Sequence, residues 1–324
     1  MRGWIAAAAA SGMLLAGCGS GDGSGDDEPA AAAPPAAAAK PDAKYTPASD
    51  VSSNAAIGKD VAAIRALLDP EADDAKPDFA AAQRIWTAGK FSKKSDGTNR
   101  TLAEWVEKHP AGTGVADALA GDGTAAGLSQ EARAQWVDKG MIVALKSHAL
   151  EEFDGAKEKL VAGELDPKEG AIHNVDEVWA YFDAEGEGIG ATAAKRAKDF
   201  GLDEHSLTDG VVAGVTAAQS AVRAKDEAGL DTAAQRTRGA INKIFALAVK
   251  KYAVEGAKDA TARAEGLAFS WALHGELAAA DLKTIQEAFA EDAGPAAVRT
   301  VATTLDEAAA KLGFDGPLPA YPAG

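Results

Sequence analysis

The stretch 129-SQEARAQWVDKGMIVALKSHALEEFDGAKEKLVAG-163 decides the fold. Its apolar residues recur at spacings of three and four, the period of a helix with one buried face. Ser129, followed by Gln130 and Glu131, marks the start. A second stretch, 231-DTAAQRTRGAINKIFALAVKKYAVEGAK-258, reads the same way, with Asp231 as its cap. From about residue 56 the chain is rich in Ala, Leu, Glu, Lys, Gln and Arg, all good helix formers. Further helices are predicted near 57–68, 78–90, 100–109, 167–183, 191–200, 209–226, 258–277, 279–291 and 295–312. Gly and Pro separate them at Pro110, Gly121 to Gly123, Gly186 to Gly190 and Gly294-Pro295. No run of alternating β-branched residues suggests a strand. The expectation is an all-α helical bundle over residues 51–318.

A weak internal echo points to two pseudo-duplicated halves, about 56–208 and 209–318. FDGAK (153–157) returns as VEGAK (254–258), and DEVWAY (176–181) as AEGLAF (264–269). On that reading Glu177 and Glu265 are pseudo-symmetric.

Residues 1–18, MRGWIAAAAASGMLLAGC, read as a secretory signal too short for an ordinary membrane span. It ends in Leu15-Ala16-Gly17-Cys18, which resembles a bacterial lipobox. The resemblance implies cleavage before Cys18 and lipid attachment to its sulfur. Cys18 is the only cysteine of the chain, so no internal disulfide exists. Residues 19–50 are dominated by Gly, Ser, Asp, Pro and Ala, the composition of a tether. The net charge of −16 disfavours nucleic acid and anionic lipid headgroups, which need clustered Lys and Arg.

Two of the five histidines head the same pattern. In 148-HALEEF-153, His148 is followed by Glu151 and Glu152. In 173-HNVDE-177, His173 is followed by Asp176 and Glu177. On a helix, residues four apart share a face. Imidazole and carboxylate suit iron, zinc or manganese, and bundle metal sites are built from such pairs on facing helices. Tyr181, Tyr252 or Tyr45 would add a phenolate. Glu265, on the apolar stretch 265-EGLAFSWALHGE-276, is a third candidate. The competing reading is ordinary surface pairs on solvated helix faces. His109, His205, His274 and Glu276 read as solvent-facing, and Trp86, Trp105, Trp136, Trp179 and Trp271 as core. GxSxG and HExxH motifs are absent. The run 186-GEGIGATAAK-195 reads as a helix-to-helix loop, not a phosphate loop.

The runs 173-HNVDEVWAYF-182 and 265-EGLAF-269 resemble the iron-assimilating, low-iron-inducible periplasmic proteins, in their bacterial lipoprotein branch. The resemblance covers roughly residues 56–314. It implies an extracytoplasmic helical protein that assists iron uptake by binding iron, with no enzymatic activity. The matched positions are His173, Asp176, Glu177 and Glu265, and their role as ligands is inferred from their chemistry. A more distant resemblance is to imelysin-like proteins, whose Gly-x-His-x-x-Glu motif is altered here. Gly170 lies three residues before His173, and the acids are Asp176 and Glu177.

The resulting expectation is a lipoprotein anchored to the cell membrane on its extracytoplasmic face. It would hold iron between helices through His173, Glu177, Asp176, Glu265, His148, Glu151 and Glu152, and pass it to an envelope iron transporter. The oxidation state of the iron stays open. The alternative is a helical module of the envelope that binds a protein or small ligand without metal.

Overall fold

The computed structural model describes residues 44–69, 76–290 and 294–322. Cys18, the signal segment 1–18 and tether residues 19–43 lie outside the described residues. The fold is all-α. In chain order the helices are α1 (Ser52–Ala55), α2 (Ile57–Leu68), α3 (Phe79–Ala88), α4 (Pro110–Ala120), α5 (Gln130–Ala162) and α6 (Ala171–Asp183), then α7 (Ile189–Asp199), α8 (Ser206–Ala224), α9 (Glu227–Glu255), α10 (Ala260–Ser270), α11 (Ala279–Glu287) and α12 (Pro295–Glu307). The only β feature among the described residues is an isolated bridge, Lys93 with Asn99.

Helix ends follow local chemistry. Ser129 Oγ accepts the Ala132 N–H at 3.1 Å and starts α5. Gly163 closes it in the left-handed conformation. Helix α9 begins earlier than the sequence suggested, because the Asp226 carboxylate accepts the Gly229 N–H at 2.9 Å and Asp231 falls inside the first turns. Two expectations fail around residue 105. The helix predicted at 100–109 shrinks to a single 3-10 turn, Glu104–Val106. Pro110, taken as a stop, is instead the first residue of α4, where its missing N–H costs nothing. His109 caps that helix through Nδ1, which accepts the Ala111 N–H at 3.1 Å.

Helices α5 and α9 run through the centre. The run Met141–Leu145 of α5 is buried on all sides, as expected of a helix with neighbours all round. Helix α6 packs along α5, α8 along α9, and α10 bridges the two central helices. One continuous core joins them, from Ile57 through Phe245 to Leu312. The echoed runs 176–181 and 264–269 fall on α6 and α10, each following a long central helix.

Residues 44–50 do not belong to a tether. Tyr45 is buried and the segment lies as a strap against α6. Composition hid this, because one aromatic side chain, two backbone N–H groups and one hydroxyl do the anchoring.

Helix α2 meets the turn after α6 at Gly58. A Cβ there would lie 1.8 Å from the Ala184 carbonyl oxygen, and Ala184 and Glu185 already hold positive φ angles of 43° and 52°. Neither backbone can yield cheaply. Gly58→Ala is therefore expected to destabilise the chain by about 1–3 kcal/mol through overpacking, read as a lower urea midpoint at unchanged m-value. An unaltered midpoint would show that this contact is loose.

Candidate metal centre

The seam between α5 and α6 brings both His–Glu pairs together. On α5, His148 Nε2 lies 3.2 Å from Glu152 Oε1. On α6, His173 Nε2 lies 3.4 Å from Glu177 Oε1. Glu152 and Glu177 meet across the seam, each acting on the other's ionisation. The four side chains thus form a line, imidazole–carboxyl–carboxylate–imidazole.

Neighbouring groups fix this line in place. Asn174 Nδ2 donates to Glu152 Oε2 at 2.6 Å. It fits there because position 155 is glycine, where a Cβ would come within 2.7 Å of that nitrogen. Asn54 of α1 donates to Glu177 Oε1 and, at 2.8 Å, to the Tyr181 hydroxyl. Trp105 stacks on the His148 ring at 4.2 Å, and Tyr181 packs against both rings, 4.7 Å from His148 and 5.1 Å from Trp105. Ser49 Oγ reaches His173 Nδ1 at 3.1 Å.

Burial decides the charges. It pushes Glu152 up to about 9, with the adjacent Glu177 charge adding to the effect. Burial also acts to raise Glu177, but the hydrogen bonds from His173 and Glu152 outweigh it and hold Glu177 below its ordinary value. The shared proton therefore resides on Glu152. Burial, then the two carboxyls, push the Tyr181 hydroxyl well above the usual phenol range. Among the described residues, no three His, Cys, Asp or Glu side chains are disposed as a ready metal cage. The seam holds imidazoles and carboxyls in a chain of pairwise contacts, with burial keeping Glu152 protonated.

Three predicted ligands stand outside this line. Asp176 is fully buried and spoken for: Oδ1 accepts from Tyr45 OH and from Gln219 Nε2 at 3.1 Å. Its Oδ2 accepts from the Ala48 and Ser49 N–H groups at 2.9 and 2.7 Å and from Ser49 Oγ at 2.7 Å. It anchors the strap. Glu265 lies beside Tyr252 and pairs with Lys139 at 3.3 Å. Lys139 is nine residues from His148 along α5, about 13 Å at the helical rise. Glu151 is at the rim, its side chain 64 % exposed and 3.4 Å from His148 Nδ1. Tyr45 and Tyr252 serve Asp176 and Glu265, which leaves Tyr181 as the phenol of the seam.

Asn54, Trp105 and Ser49 were not foreseen at the seam, since nothing in their local sequence links Asn54 and Ser49 to residues 123 and 124 positions away, or Trp105 to the His148 ring. Two surface assignments are corrected. Glu276 is largely buried and accepts from Arg238 at 2.9 Å and Asn242 at 3.0 Å, with Lys146 at 3.4 Å. His109 is half-buried and meets the His274 ring edge-on at 5.1 Å. His205 and His274 are exposed, as expected.

The family model described as low iron-inducible periplasmic protein matches residues 29–288. The chain belongs to this family. The match takes in the strap, the α5–α6 seam and every helix through α11. The family description is extracytoplasmic and tied to iron limitation. No curated protein and no solved structure matches the chain. Among the described residues no helix is long and apolar enough to cross a membrane.

Two measurements test the geometry. Asp176→Ala strands the Tyr45 and Gln219 donors, an unsatisfied-donor cost of about 1–3 kcal/mol for each buried group. The amides of Ala48 and Ser49 should then lose protection from hydrogen exchange while those of α5 keep theirs; retained protection would mean the strap has another anchor. Glu152 gives a pH signature. The folded chain holds its proton to about pH 9, whereas the ordinary value is 4.5. That stabilisation is complete below pH 4.5 and is lost as pH rises toward 9. Glu177, held low, contributes above its ordinary value and loses its contribution only in acid. Glu152→Gln, a neutral mimic of the protonated acid, should match wild type near pH 4.5 and exceed it at pH 9 in metal-free urea melts. Parallel stability curves would refute the shared proton.

Proposed function

We propose that the chain binds iron in the α5–α6 seam and assists its uptake at the cell envelope. His148, Glu152, Glu177 and His173 are the ligands, with the Tyr181 phenol beside them. The observation that carries this reading is the convergence of two His–Glu pairs, His148–Glu152 and His173–Glu177, at one buried seam. Two buried carboxyls between two imidazoles form a place where a cation is missing, and the proton stands in for it. Imidazole and carboxylate are suitable donors for iron. Capture would expel the proton and turn both carboxylates toward the metal. Asn54 and Asn174 hold the carboxylates before and after that turn, and Trp105 shields His148 from water. Membership of an iron-limitation family supports iron over other cations.

On this proposal the chain is a carrier, not an enzyme. Lipid attached at Cys18 keeps it on the extracytoplasmic face, and an envelope transporter receives the iron. The linear, protonated arrangement also favours a second reading, a helical interaction module that binds no metal.

The test is metal loading of the full chain with Fe(II) under anaerobic conditions, and separately with Fe(III)-citrate, Zn(II) and Mn(II). After desalting, elemental analysis should find iron bound, with about one proton released per ion at pH 7, measured calorimetrically in buffers of different ionisation enthalpy. His173→Ala and Glu152→Gln should abolish retention, and Glu265→Gln should leave it intact. Unchanged binding in His173→Ala would remove that residue from the site. No metal retained under any condition would establish the second reading.

A further inference from the structure

Helices α2, α5, α7, α9 and α10 enclose a cavity of about 340 Å³, far from the α5–α6 seam. Its charge is opposite to that of the chain. Six cationic side chains, Arg65, Lys139, Lys195, Arg196, Lys198 and Lys251, line it, against two carboxylates, Asp138 and Asp199. The whole chain carries −16.

The ion pairs do not use up this positive charge. Arg65 binds Asp138 at 2.6 Å and also Glu187. Lys139 binds Asp138 at 2.7 Å and Glu265 at 3.3 Å. Arg196 binds Asp199 at 2.8 Å, and Lys251 binds Asp199 at 3.3 Å and Glu255 at 3.7 Å. Lys195 and Lys198 make no ion pair among the described residues. Burial lowers the Lys195 pKa; the nearby Asp138 charge opposes this, and the like charges of Lys139, Arg65 and Arg196 add to the lowering. That ammonium stands where a negative charge would relieve it.

Arg196 supplies the second observation. It is 4 % exposed, and its Nε and Nη1 are buried without a hydrogen-bond acceptor. Its guanidinium lies 5.3 Å from the Tyr252 ring centre, which holds it in the cavity wall. A buried guanidinium with idle donors is costly, and an oxyanion is the partner its fork fits. Thr192, Lys195, Arg196 and Asp199 lie on one face of α7, at spacings of three and four, so one helix presents hydroxyl, ammonium and guanidinium together.

We infer that this cavity binds a small oxyanion, a phosphate or a small polycarboxylate, gripped by Arg196 and Lys195 with Lys139 and Lys251 beside them. Arg196 donates to it through an idle guanidinium N–H and Lys195 through its ammonium, while Nη2 of Arg196 stays with Asp199. The cavity is independent of the metal seam, since Lys139 lies about 13 Å along α5 from His148.

The test uses the full chain stripped of metal, titrated with inorganic phosphate in one arm and citrate in the other. Ionic strength is fixed with chloride, and heat of binding and thermal midpoint are both read. Saturable binding in the phosphate arm assigns a phosphate site, and binding in the citrate arm alone a polycarboxylate site. Lys195→Gln, at a partly exposed position that should fold normally, should weaken binding about tenfold or more, the worth of a charge-assisted hydrogen bond. Arg196→Lys keeps the charge without the fork and should weaken it as well. Glu152→Gln should bind the anion as wild type does, which separates this site from the metal seam. No effect beyond chloride in either arm, or undiminished binding in Lys195→Gln, would overturn the inference.

Discussion

Helix α6 carries two adjacent carboxylates into the protein interior, and burial forces each to find a different solution. Asp176 remains an acceptor of five hydrogen bonds from the strap and α8. Glu177 is stabilised by the protonated Glu152 of α5 and by His173. A helix with both faces so occupied cannot slide or rotate without exposing an unpaired buried charge. The strap, α1, α5 and α8 are all positioned by these two residues. The rest of the bundle, built on α5 and α9, supplies the apolar mass that keeps water from solvating them.

The same arithmetic makes the seam the candidate site. A carboxyl raised to about 9 beside a carboxylate held low is a pair with one vacancy for positive charge. Structural acid pairs are usually closed by a lysine or arginine. Here the flanking groups are two imidazoles, which pair with the carboxyls and also offer lone pairs to a metal. Arg100 acts on Glu177 and Tyr181 only through its field. The basic cavity beside α7 is the counterpart, a place with surplus positive charge inside an acidic chain.

Much of this was legible in the sequence. The period of residues 129–163 and 231–258 gave the two central helices, and the repeated His–Glu spacing gave both halves of the seam. The convergence of those halves was not legible, because i,i+4 spacing fixes a face of one helix and says nothing of register between two. Asp176 and Glu177 are neighbours with the same chemistry, and only tertiary donors separate anchor from ligand. Glu265 was drawn in by an echo in sequence, yet α10 meets α5 near Lys139, about two and a half turns from His148. Pro110 misled because proline both ends and begins helices, and the local cap that decides between them comes from His109, which is not among the usual capping residues.

The strap also bears on the order of assembly. Tyr45 is bonded to Asp176 across 131 residues and to Gln219 across 174. A chain exported amino end first presents the strap long before either partner exists. Closing so long a loop is entropically slow, and it is favourable only once α5, α6 and α8 are packed. Residues of the strap, made early, are thus among the last to dock. With them comes Ser49, which touches His173, so the seam acquires its final neighbour only when the bundle behind it is complete.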